Sequence, residues 1–552
     1  MNDSPKRLSA FTDSYRRVAE VCGTYHEWRY LWLLFVLLVI MFFGNILFME
    51  LNGSSEVVVA GIARNMMESG DYFLPKLNGH PYVEYPPLFF LFECTSFGLF
   101  GYSPWAAKLP AALAAIGGAH MLYYLLRAMK YSPLTAFLSG LILGSSMQYY
   151  SSGVSGSVDS LLTVCCITAW WGFYSWSVKE QKKRRPFMFF LLVLGLTGCV
   201  MTKNIAGMMV PLSGILIFML LDDLIQKKLR LGRWLMLFFA ILLALLPYMW
   251  YAKVMFDTHG PTAFYELVVS SNLGYFHSAA PPAEPFGYYF VQLPEMFQPW
   301  LVFLLVAIGF HLRRVVRKHA VNSLYSLTIL LVPFVMLTVA VGKQLEYLLP
   351  LSAPAAMLVG SMFGMFGEGK IVRFSARAND MIIRVSFYVI FALGLAAPVT
   401  LIILGVYFYN LPGVWRYWSM LAMLLLTIRV WLVAKPRQEE KLLLYLALIF
   451  ALIYPSLAGT TLARNTHRDS FKPMFEYLDA RGGTLYLDNP REGLKGAVNF
   501  YTGGDAYEIQ LDSFALKNFQ SGDTVITLKE DLDPDEWRVK IFREKYKVAE
   551  KI

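Results

Sequence analysis

Between residues 53 and 87 the chain reads GSSEVVVAGIARNMMESGDYFLPKLNGHPYVEYPP, a polar, turn-rich stretch between long apolar runs. It brings carboxylates, an arginine, a lysine and three tyrosines into one short loop. A carboxylate can deprotonate or orient a nucleophile, and a cation can stabilise an anionic leaving group. Glu56 is the first candidate acid. Its simpler role is a first-turn acid at the positive end of a helix. Asp159 opens a later apolar run as a second candidate acid or a helix cap. Lys203 and Lys343 fall at the ends of other runs, where snorkelling is the plain alternative. No His/Cys/Asp/Glu grouping has metal-ligand spacing. No cofactor is therefore expected; a divalent metal is chemically compatible with the acids but has no support in the spacing.

The elements that must position these residues are membrane helices. Of 552 residues, 56% are hydrophobic and only 16% charged, below the roughly 25% typical of soluble domains. Runs of about 20 apolar residues recur, which defines an all-α polytopic membrane protein. Spans are predicted at 30–49, 105–126, 133–150, 158–177, 186–202, 205–222, 233–252, 298–312, 321–341, 345–366, 383–408, 413–434 and 441–459, about thirteen transmembrane helices. The run 87–101 carries Glu93 and is too short for a span, so it reads as interfacial or re-entrant. With the N-terminus inside, RAMK, KEQKKRR, KKLRLGR, RRVVRK, KIVRFSAR and KPRQEEK all fall in inner loops. That is the positive-inside pattern, and it explains the net charge of +10 without nucleic acid.

The same count puts 50–104, 151–157, 253–297 and the tail after 460 on the outer face. The expected organisation is a cytoplasmic segment 1–29, a membrane domain 30–459 and a periplasmic α/β domain 460–552. In the tail, FKPMFEYLDA and REGLKGAVNFY read as helices, TLYLD and DTVITL as strands. Four of the five cysteines lie in apolar segments and none in this tail, so no disulfide framework is implied. The N-terminus shows no removable signal peptide. Residues 56–68 read as a helix with a partial apolar face, suited to the membrane interface and capped by Ser54 or Ser55.

The run from Ala63 to Gly101, followed by WAAKLPAAL, VDSLLT (158–163), TKNIAG (202–207) and GKQLEYLLPL (342–351), resembles the bacterial polyprenyl-phosphate-sugar glycosyltransferases. This clan has the GT-C architecture and includes protein O-mannosyltransferases and aminoarabinose transferases of the ArnT type. The resemblance covers the first 350 residues in detail and the remainder in layout. It implies inverting transfer of a sugar from a polyprenyl-phosphate carrier to a lipid, glycan or protein acceptor, at the outer face of a bacterial inner membrane. On that basis Glu56 and Asp159 are the candidate catalytic acids, Asp159 matching the family's second outer-face acid. Lys203, Lys343, Arg64 and Tyr85 are candidates for the donor phosphate, with Lys76 behind them. Tyr82, Asn272, Tyr275 and Tyr347 are candidates for substrate contact, and His277 is a weaker one.

Three charged positions of the family pattern are neutral here. Ser55 stands where the family's catalytic Asp is expected, Tyr85 where it has Lys before the double proline, and Tyr275 where it often has Arg. A phenol stabilises a developing phosphate charge less than Lys or Arg does. A non-catalytic relative that binds a lipid-linked sugar, as scaffold or regulator, is the alternative. A transporter is disfavoured, because mid-membrane charge is sparse and no internal repeat is visible.

Overall fold

A computed structural model of the chain describes residues 27–47, 49–51, 53–177, 185–273, 284–367, 470–479, 484–504, 506–510, 519–528, 537–542 and 546–551, with Leu425 alone between 367 and 470. The expected spans at 383–408, 413–434 and 441–459 therefore lie outside the described residues, Leu425 apart, as do Tyr275 and His277. Among the described residues, six helices are long and apolar enough to cross a membrane: Glu27–Ile46, Pro104–Ala128, Arg185–Ile225, Leu231–Ser270, Val321–Val339 and Leu345–Met365. The pair Tyr288–Phe297 and Leu301–Lys318, bent by 108°, adds a seventh if it counts as one span.

The 41-residue stretch Arg185–Ile225 conceals a reversal. Its helical geometry fails at Lys203 (φ −143°, ψ 42°) and Asn204 (φ 56°, ψ −167°). A Cβ placed on Gly207 would lie 2.8 Å from the Cys199 carbonyl oxygen. Eight residues of unbroken helix would separate those positions by about 12 Å. The chain thus turns back on itself, and 186–202 and 205–222 are the two legs that the hydropathy pattern separates. Small residues set the packing beside them. A Cβ on Gly195 would come within 2.4 Å of the Ala169 nitrogen, and one on Gly172 within 2.5 Å of the Leu192 nitrogen. Lipid offers no hydrophobic drive between helices, so close backbone approach of this kind holds them together.

The single span expected at 133–150 is two helices, Pro133–Gly144 and Met147–Val154. Ser145 and Ser146 divert the backbone. Their hydroxyls donate to the carbonyls of Leu141 (2.7 Å) and Leu143 (2.8 Å), and the Met147 amide leaves the helix to reach the Gln298 carbonyl (2.9 Å). Side-chain bonds to the preceding turn compete with the helix ladder in this way. The span expected from 345 opens as a 3-10 turn, Leu345–Leu351, before Ser352–Gly367 continues as α-helix.

The 50–104 segment folds as a helix Ser54–Ser69, a hairpin of β1 (Lys76–Leu77) and β2 (His80–Pro81), and a helix Leu88–Phe100. Asn78 (φ 50°) and Gly79 (φ 78°) make the turn of the hairpin. At 13 residues, Leu88–Phe100 is about 20 Å long against a bilayer core of about 30 Å, too short to cross. Gly53, not a serine side chain, caps Ser54–Ser69. Nor does this helix lie on lipid. Val57, Ala60, Ile62, Ala63 and Met66 are buried under the C-terminal unit, in one core with Phe471, Met474, Leu494, Val498 and Phe500.

That unit is a five-stranded sheet in the order β4-β3-β5-β7-β6: β3 (Leu485–Asp488), β4 (Tyr507–Ile509), β5 (Thr524–Thr527), β6 (Trp537–Phe542) and β7 (Tyr546–Lys551). β3 runs parallel to β4 and β5, while β7 pairs antiparallel with β5 and β6. The helix Glu492–Thr502 crosses Ser54–Ser69 at contact distance, where a Cβ on Gly61 would sit 2.3 Å from the Gly496 carbonyl oxygen. Asn78 completes the seam. Its amide donates to Asn499 Oδ1 (2.9 Å), its Nδ2 to Glu508 Oε1 (2.7 Å) and to the Ala506 carbonyl (3.1 Å), and its Oδ1 accepts from the Ala506 amide (2.9 Å). Lys472 also reaches Glu50 at 2.8 Å.

Candidate active site

At the turn between the two legs, Lys203 meets Asp159 at 2.5 Å. Asp159 sits in the first turn of Val158–Ser177, and both side chains are largely buried, 9% exposed for Asp159 and 11% for Lys203. Two aromatic faces close over the ammonium: Tyr347 with its ring centroid 4.5 Å away and Tyr85 at 5.7 Å. Tyr85 thus serves as a partner for a cation, not as a second cation.

This group stands at the polar end of a cavity of about 320 Å³. Glu84, Asp159, Lys203, Asn204, Asn272 and Tyr347 line it together with Ile205, Met209, Val210, Met336 and Leu337. Among the described lining residues Lys203 is the one cation and Asp159 the carboxylate it meets, while Glu84 contributes the backbone carbonyl that Asn204 binds. Of the apolar lining, Met209 is exposed, while Val210 is buried.

Two asparagines stitch the site together. Asn204 Nδ2 donates to the Glu84 carbonyl (2.7 Å) and Ser271 Oγ (3.2 Å). Asn272 Oδ1 accepts from the Ala206 amide (3.1 Å), one of the orphan donors that begin the second leg, while its Nδ2 donates to the Leu267 and Val268 carbonyls. A π-helical turn, Glu266–Ser270, delivers Ser271 and Asn272 to this place; such turns inside helices are frequent at functional sites.

Of the candidates named from sequence, Asp159, Lys203, Asn272 and Tyr347 line the cavity, and Tyr85 adjoins it. Tyr82 is buried, its hydroxyl donating to Glu84 Oε2 at 3.1 Å. Burial raises the Tyr82 hydroxyl well above its usual range, with help from the Glu84 carboxylate, so it is a donor and not a base. Glu56 is elsewhere: it pairs with Lys108 at 3.6 Å and does not line the cavity. Lys108 is almost fully buried and also donates to the Glu50 carbonyl (2.8 Å), so Glu56 compensates a buried charge. Arg64 binds Glu68 (2.7 Å) and the Phe500 carbonyl (2.6 Å), with the ring of Tyr102 at 4.4 Å, which ties the loop to the C-terminal unit. Lys343 donates to the Glu284 carbonyl (2.9 Å) while its neighbour Gly342 lines the cavity. Lys76 stands 3.7 Å from Asp71. Among the described residues no group of three or more His, Cys, Asp or Glu side chains could hold a metal ion.

Sequence reasoning missed Glu84, Asn204, Ser271 and Lys108. Glu84 and Asn204 lie inside motifs that had been singled out, but nothing local marks which of a motif's polar residues will face a cavity. Lys108 was visible as the one charge in WAAKLPAAL.

Residues 84–251 match the family model described as dolichyl-phosphate-mannose-protein mannosyltransferase. Similar proteins include the undecaprenyl phosphate-α-4-amino-4-deoxy-L-arabinose arabinosyl transferases of Aeromonas salmonicida, 28% identical over 58% of this chain and 57% of the relative, and of Shewanella sediminis, 26% identical over 60% and 58%. The chain therefore spans a little over half the length of these curated relatives. In fold it matches the crystal structure of ArnT from Cupriavidus metallidurans bound to undecaprenyl phosphate, with a TM-score of 0.72, 16% identity, and coverage of 94% of this chain and 97% of that one. The apo form of the same protein matches equally, at a TM-score of 0.72. The chain therefore shares the fold of that crystal structure, and its residues 84–251 match the mannosyltransferase family model.

Proposed function

We propose that this protein transfers a sugar from a polyprenyl-phosphate carrier to a lipid, glycan or protein acceptor at the outer face of a bacterial inner membrane. The observation that carries the reading is the cavity itself. It combines a buried Lys203–Asp159 pair with an apolar lining of Met209, Val210, Met336 and Leu337. An anionic head on a greasy tail fits that polarity. The similar undecaprenyl phosphate-α-4-amino-4-deoxy-L-arabinose arabinosyl transferases support it.

In this reading the acceptor oxygen attacks the anomeric carbon from the face opposite the carrier, inverting it. The carbon–oxygen bond to phosphate breaks and polyprenyl phosphate leaves. Lys203 receives the developing phosphate charge, sharing its ammonium between Asp159 and the leaving group. Asp159 is the proposed acid/base. Glu56, held by Lys108, supports the loop. An anionic acceptor, already a nucleophile, would need little base, which suits a chain with Ser55 at the expected Asp. Purified protein incubated with undecaprenyl-phosphate sugars and a panel of acceptors tests this; saturable carrier binding with transfer lost on Asp159→Asn is expected.

One observation favours a second reading, a binding relative without turnover. The one described cation on the cavity is already balanced by Asp159 and stacked against two tyrosines. Carrier binding with no transfer to any acceptor would select it.

A further inference from the structure

We propose that Asn204 is a positioning residue, whose strained turn holds Lys203 toward the anionic head of the ligand; the proposal rests on the function above. Its backbone, at φ 56° and ψ −167°, lies in a region populated almost only by glycine. Asn204 is 2% exposed, and its Oδ1 is buried with no hydrogen-bond partner among the described residues. The orientation of the amide is set by chemistry: the Glu84 carbonyl can only accept, so the nitrogen must face it, and Ser271 Oγ, which also approaches the Leu267 carbonyl, takes the second proton. The turn thus carries two costs, a disfavoured backbone and an unsatisfied acceptor. A glycine would remove both.

What asparagine does that glycine cannot is bridge three segments. Its side chain joins the hairpin turn to the backbone of Glu84 in the first loop and to Ser271 after the π-helical turn. From the far side Asn272 grips the Ala206 amide. Lys203 is held between these two clamps, against Asp159 and under Tyr85 and Tyr347. Strain kept beside a charged cavity, where a simpler residue would relieve it, is the mark of a geometry required by the ligand and not by the fold.

The test uses the full chain in detergent, with undecaprenyl phosphate as probe, and measures thermal unfolding and binding in parallel. Asn204→Gly is expected to unfold at the wild-type temperature or above it, yet to bind undecaprenyl phosphate at least tenfold more weakly. Ser271→Ala, which removes one clamp and keeps the turn, is expected to weaken binding about threefold with little change in unfolding, and it stands in if the glycine variant does not fold. Asn204→Gly that loses stability while binding as wild type does, or leaves both unchanged, overturns the proposal. Saturable wild-type binding with wild-type affinity in both variants sinks the role of Asn204 alone. Absence of saturable wild-type binding sinks the functional reading, and the positioning role falls with it.

Discussion

The asparagines at two polar junctions of this molecule are satisfied to different degrees. At the seam between the 50–104 segment and the C-terminal sheet, Asn78 makes four hydrogen bonds, and Gly61 and Gly496 let two helices touch. At the cavity, Asn204 is strained and one of its buried atoms lacks a partner among the described residues. Satisfied polar groups at close-packed contacts secure a fold. Unsatisfied, strained ones persist where something other than the fold requires them. The seam reads as architecture, and the cavity is where the proposed function places the chemistry.

Substitutions should separate the two. The largest effect is expected at the cavity. Asp159→Asn should lower sugar transfer by about 10²–10⁴-fold, the usual worth of a positioned acid or base, and should also lower the unfolding temperature by leaving the buried Lys203 without its counter-charge; transfer rate and unfolding temperature measured on one preparation check both. Next comes the seam. Gly61→Leu forces a side chain into the Gly496 backbone and should destabilise the C-terminal unit by about 3 kcal/mol or more, read as faster proteolysis after residue 460, with carrier binding retained by molecules still folded. Asn78→Ala should act in the same direction by about 2 kcal/mol, because the Ala506 amide and its neighbours lose their partner.

The smallest effect sharpens the comparison by pH. Burial raises the Glu492 carboxyl, the nearby Glu84 carboxylate raises it further, and Lys495 only partly offsets this. Its stabilising contribution is therefore present below the ordinary carboxylate value and lost as pH rises through the raised one. Burial also works to raise Glu508, but hydrogen bonds from Lys495 and Asn78 prevail and hold it low. Its contribution is present above the ordinary value and lost as pH falls through the lowered one. Glu492→Gln should flatten the gain on the mildly acidic side, and Glu508→Gln the loss below it. Unfolding temperature against pH for the two variants measures this.

Much of the fold was legible locally. Hydropathy placed the helices Glu27–Ile46, Pro104–Ala128 and Val321–Val339, and even separated the two legs of Arg185–Ile225 at the residues where the chain reverses. Both helices and both strands expected in the tail are present, at Lys472–Asp479, Glu492–Thr502, Leu485–Asp488 and Thr524–Thr527. The break at Ser145–Ser146 was not legible, since an apolar run records burial and not whether the backbone stays continuous. The apolar face of Ser54–Ser69 was seen, but a helix facing lipid and one facing a protein core carry the same pattern.

Composition and hydrophobic period by themselves determined a many-spanning membrane protein with a small α/β unit following the spans, and motif order added only a resemblance to a glycosyltransferase clan. Those properties depend on neighbours along the chain. Only the tertiary structure decided what each charge does. Arg64 and Glu56 were drawn into the seam and its foundations, while Lys203 found Asp159, Tyr85 and Tyr347 from three distant segments. A charge takes its role from the partner it meets and the water it loses, and long-range packing sets both.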